Sequence, residues 1–159
     1  MSRFARFAVL ALLMLASVSP ASANADPIIE QQGPVIDRLV RDIDSLAGRL
    51  DAARTDDLKL VEIRNALEEK GKELLAAAVA FRPRRDEINA RLEQLGNPPA
   101  EGEPAEAQAV TDERNALKQV KAAINTLLGR AEDASLRVNS LLEQLAEMRR
   151  DLFAGQLSK

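Results

Sequence analysis

Apolar residues recur along this chain at the spacing of a helix face, in three stretches. Ile36, Leu39, Ile43, Leu46, Leu50 and Ala53 follow one another at alternating intervals of three and four. Leu60, Leu67, Leu74, Phe81, Ile88 and Leu95 then mark every seventh position. In the third stretch two such lines run side by side. One is Val110, Leu117, Ile124, Ala131, Val138, Leu145 and Leu152, and the other is Val120, Leu127, Ala134, Leu141 and Met148. Sustained three-and-four spacing is the signature of helices packed along a seam.

Local signals divide the pattern into helices at about 34–53, 56–95 and 105–154, with a loop at 96–104 and an extended linker at 26–33. Pro34 suits the first turn of a helix. Thr55 or Asp56 can cap the second helix. With no Gly or Pro at that junction, one continuous helix from Ile36 to Leu95 is the alternative. Pro83 lies inside the second helix and predicts a kink or a break there, because it removes one backbone hydrogen bond. Gly96 and the "NPPAEGEP" stretch end that helix, and Gly155 offers an end to the last one.

The fold class expected is all-α: an elongated antiparallel coiled-coil hairpin with a third, shorter helix packed at its base. The second and third predicted helices would be about 57 Å and about 74 Å long at about 1.5 Å per residue. Folding at the short loop sets Leu60 near Val138 and Phe81 near Leu117. The first helix then covers the second as far as about Leu75, with Val61, Leu75, Leu128 and Leu142 widening the apolar face of that zone. Beyond about Leu142 the last helix would overhang its neighbours. Leu145, Met148, Arg149, Arg150, Leu152, Phe153 and Leu157 are therefore the candidate partner-facing or membrane-proximal surface.

Residues 1–25 change the picture of where the chain works. Arg3 and Arg6 precede the apolar run "FAVLALLMLASV", and two small-residue patterns, Ala21-Ser22-Ala23 and Ala23-Asn24-Ala25, follow it. That is the layout of a secretory signal peptide, which predicts a periplasmic protein; an uncleaved anchor at the inner membrane is the alternative. No second apolar run reaches spanning length. Of the 22 basic residues, Arg3 and Arg6 lie in this segment, leaving 20 against 25 acidic ones. Such a balance offers no basic field for nucleic acid. Cysteine is absent, so no disulfide staples the fold.

Candidate chemistry is sparse. The chain lacks Cys and His, and no Gly-rich elbow surrounds its serines, so nucleophile–base catalysis has no parts to work with. "DIDSLAGRLD" lacks the central glycine and closing glutamate of a calcium loop. Arg82, Arg84 and Arg85 read as a solvated face around the kink, with an anionic surface as the other reading. The expectation is a non-enzyme with no cofactor, no metal and no small-molecule substrate.

Three pieces carry a resemblance. They are Leu92, Leu95, Gly96, Pro98 and Pro99 before an acidic loop; Glu113, Arg114 and Leu117 opening the next helix; and Arg149, Arg150, Leu152, Phe153 and Leu157 closing it. Together with the N-terminal apolar segment, they make the chain similar to the periplasmic N-terminal region of large bacterial small-conductance mechanosensitive (MscS-type) channels. The resemblance implies a structural or sensing domain preceding membrane helices and a pore, neither of which this sequence contains. The partner it implies is the membrane part of a channel, or another copy of the chain through the C-terminal helix. A stand-alone periplasmic adaptor or holdase that binds envelope proteins is the alternative.

Overall fold

A computed structural model describes residues 26–157, so the segment read as a signal peptide lies outside the described residues. All regular structure among them is helical: α1 (Pro27–Ala53), α2 (Asp57–Ala80), α3 (Arg82–Leu95) and α4 (Gln108–Leu157).

α1 starts seven residues earlier than the pattern predicted, and no extended linker occupies 27–33. The cause is Asp26, whose carboxylate accepts the Ile28 N–H at 3.3 Å, with Pro27 in the first turn. Pro34 sits inside the helix instead of starting it. The residue before a proline is normally crowded out of the helical region by its own Cβ, and Gly33 has none. Gly33 also occupies the seam position between Ile29 and Ile36, which hides the helix from an apolar-spacing reading. A Cβ there would lie 3.8 Å from Leu127, an ordinary contact.

α1 and α2 are separate helices. Asp56 takes an extended conformation (φ −127°, ψ 98°) and its side chain accepts from the Lys59 N–H, so a continuous helix is excluded. The second break is Phe81, and the joined α2–α3 helix is bent there. Pro83 follows in the first turn of α3, where its missing N–H costs least. α3 ends at Leu95; Gly96 adopts φ +65°, open to a residue without a Cβ.

α1 packs on both α2 and α4, whereas α3 packs on α4. Cross-helix ion pairs fix the directions. Arg130–Asp37 (2.6 Å) and Arg137–Asp44 (3.0 Å) make α1 parallel to α4. Arg91–Glu113 (2.6 Å) and Arg149–Asp57 (2.6 Å) make α2 and α3 antiparallel to it. Val138 accordingly stands beside Gly71, not Leu60, so the helices have slid by more than one heptad from the expected register. The later start of α4, at Gln108 and not 105, contributes part of this slide by lengthening the connection.

Two consequences follow for the core. Arg84 donates to Asp26 at 2.7 Å, so α1 covers α2 past Leu75 to the bend. Leu75 itself is 64 % exposed and does not widen the three-helix zone. Of the fully buried apolar residues, only Ile88 belongs to α3; the others lie where three helices meet. Each such side chain stabilises by about 1.5–3 kcal/mol, so folding free energy is concentrated there.

Candidate interaction surface on the last helix

The end of α4 was the surface the sequence singled out, and the structure splits it in two. Leu145 is 1 % exposed and Met148 6 %; both belong to the core. The slide of register carries the turn between α1 and α2 further along α4 than expected. That turn, through Arg54 and Thr55, lies over Met148 and Leu152. The overhang therefore starts near Arg149, not near Leu142, and Leu145 and Met148 are withdrawn from the candidate surface.

Arg149 marks the boundary. Its Nε donates to Asp57 at 2.6 Å and a second guanidinium N–H donates at 3.3 Å, so the first turn of α2 is bolted to α4. The hydrogen bonds it donates to the Asp57 carboxylate also push the Arg149 pKa up from its ordinary value. The same guanidinium lies 5.8 Å from the ring centre of Phe153, within cation–π range. Arg150 reaches Glu147, at 3.9 Å, and is otherwise exposed. Leu152 is half-buried, Phe153 is 47 % exposed and Leu157 90 % exposed. The helix runs through Gly155 to Leu157, so that glycine does not end it.

A groove continues from Phe153 back along the α2–α4 face opposite α1. It is open, with a volume of about 620 Å³, and Leu142, Ala146 and Phe153 line it with Arg64 at the rim. Further along the same face, Leu75, Ser135 and Asn139 border the depression left by Gly71. The groove is lined by three arginines, Arg64, Arg149 and Arg150, and two glutamates, Glu68 and Glu143, but no cluster among them activates a nucleophile. No group of three metal-ligating side chains occurs among the described residues.

A second arrangement, at the opposite end, was missed by the sequence reading. Arg114 is 4 % exposed and donates to the carbonyls of Leu95 (3.4 Å) and Gly96, and to Glu106 at 2.7 Å. It thereby satisfies carbonyls that the end of α3 leaves without helical partners. Beside it Arg91 makes a two-bond pair with Glu113, at 2.6 and 2.9 Å. Hydrogen bonds from Arg114 hold the Glu106 pKa below the usual range, and those from Arg91 do the same for Glu113. The signal was present: Arg114 falls four residues after Val110 and three before Leu117, at a seam position where an apolar residue belongs. Arg82, Arg84 and Arg85 do not gather into a site, since Arg84 serves Asp26 and Glu87 while Arg85 reaches Asp86.

No protein-family model, no curated protein and no solved structure matches this chain. No described helix is long and apolar enough to cross a membrane.

Proposed function

We propose that this chain is a non-catalytic helical module of the cell envelope, exported to the periplasm. Its form is an antiparallel coiled-coil hairpin thickened at one end by the shorter α1. Its role, like that of the N-terminal region of MscS-type channels it resembles, is structural or sensing. The observation that carries this reading is the last two turns of α4. Past Arg149 the helix leaves the packed helices, with Phe153 and Leu157 exposed. A helix end that is apolar and unaccompanied fits attachment to a membrane-associated partner better than any chemistry.

The test has two parts. Cells expressing the full chain with a C-terminal tag are fractionated, and the tag is expected in the periplasmic or inner-membrane fraction, shortened by the N-terminal segment. Recovery in the cytoplasm at full mass would overturn the export reading. Phe153→Ser with Leu157→Ser should then shift the protein from the membrane fraction while leaving helix content unchanged, and an unchanged distribution would overturn the attachment surface.

The open groove along Leu142, Ala146 and Phe153 favours a second reading, an adaptor or holdase that binds envelope proteins through that face. Protection of an aggregating periplasmic client by the wild type, lost in Leu142→Glu, distinguishes it.

A further inference from the structure

α4 carries two seams with three-and-four spacing. One, through Ala131, Ala134, Val138, Leu141, Leu145 and Met148, is the buried one. The other lies on the α2–α4 groove side and is left open. It starts at Leu128 and ends at Phe153, passing Ser135, Asn139, Leu142 and Ala146 with one acid, Glu132, and one base, Arg149.

The open seam reads the same from both ends. In an antiparallel pair of helices the two kinds of seam position face each other across the interface. Placed antiparallel to itself and centred between Asn139 and Leu142, the seam sets Leu128 against Phe153 of the other copy. Glu132 then meets Arg149, Ser135 meets Ala146, and Asn139 meets Leu142. Large apolar residues face each other at both ends, the two smallest side chains face each other between them, and the only charges pair with opposite sign. A slide of one heptad either way destroys the match: Glu132 would face Leu142, or Arg149 would face Asn139.

We propose that two copies of this chain associate through this face, antiparallel and two-fold symmetric, in that register. The groove supplies the space, because α1 lies on the opposite side and no described residue fills it. Leu75, 64 % exposed beside Ser135 and Asn139, is covered by the second copy. Glu132 has no ionic partner among the described residues and is available to the Arg149 guanidinium, whose bonds to Asp57 occupy Nε and one terminal nitrogen. The seam spans about 37 Å at about 1.5 Å per residue. An isologous contact of this kind closes on itself and stops at two copies. The inference shares α4 with the function proposed above but depends on neither export nor a channel.

The absence of cysteine makes the test clean. Purified Ser135→Cys and Ala146→Cys proteins, mixed and mildly oxidised, should give a Ser135→Cys/Ala146→Cys heterodimer in several-fold excess over either homodimer, since like positions lie far apart in this register. Light scattering of the wild type should show a dimer. Glu132→Arg, which sets like charges against Arg149, should raise its dissociation constant at least about tenfold. A wild-type monomer at every concentration, or cross-linking without preference for the mixed pair, would overturn the proposal. If Glu132→Arg misfolds, the cysteine pair decides alone. Neither readout depends on where the cell places the protein, so failure here leaves the export reading standing.

Discussion

The two ends of the helical assembly are held by different physics. Where α1, α2 and α4 meet, from Asp26 and Arg84 at the bend to Asp57 and Arg149 at the turn, the core is a continuous column of Leu, Ile and Ala. Where α3 meets α4 alone, Leu92 and Leu117 stay half-buried and only Ile88 is fully covered. Two helices cannot enclose a seam, so the thin end relies on Arg114, Glu106, Arg91 and Glu113 to keep the chain reversal in place. The contrast teaches that burial decides whether the protein folds, while polar clamps decide whether its far end stays closed.

Breaking the thick end should have the largest effect. Phe81→Ala removes a fully buried ring at the bend and should cost about 3–5 kcal/mol, seen as a large drop in the denaturation midpoint by circular dichroism. Arg114→Met comes next, at about 1–3 kcal/mol, because it strips the carbonyls of Leu95 and Gly96 of their donor. Its effect should be local: amide exchange should quicken between Leu92 and Leu117 while amides around Leu67 stay protected. Equal loosening of both ends would show that the clamp does not act on the thin end alone. Asp26→Ala deletes the cap of α1 and the partner of Arg84 together, and about 1 kcal/mol is expected. The loss should appear as fraying of the first turn of α1, measurable by amide exchange at Glu30 and Gln31.

Acid gives the smallest and most selective effect. Glu106 and Glu113 bind their protons less tightly in the folded protein than in the unfolded chain, owing to Arg114 and Arg91. Their contribution is therefore complete above the ordinary glutamate pKa of about 4.3 and disappears as pH falls through the depressed folded values. Loop amides between Gly96 and Gln108, corrected for intrinsic rates, should lose protection in that acid range before those of the three-helix end. A simultaneous loss at both ends would show that the clamps are not what closes the tip.

Much of the helix inventory was legible because periodicity needs only local information. The seams through Ile36–Leu50, Leu60–Ile88 and Ala131–Leu145 are buried along the lines that apolar spacing marks. What escaped was any residue whose type contradicts its place. Gly33 and Pro34 disguised the start of α1, and Arg114 disguised a buried seam position. For the candidate surface, Phe153 and Leu157 are exposed where the sequence placed them, yet Leu145 and Met148 are core.

The sequence by itself determined that the chain is helical and which face of each helix is apolar. The pairing of the helices along their length was left to the tertiary structure, for a physical reason. Sliding one helix past another by a heptad returns every seam to an equivalent position, so apolar spacing is blind to that displacement. Non-repeating contacts decide it: the cap at Asp26 with its pair to Arg84, the bolt between Asp57 and Arg149, and the clamp of Arg114 on the end of α3. Those contacts set the overhang of α4 near Arg149 and not near Leu142, and with it which residues of the candidate surface are exposed.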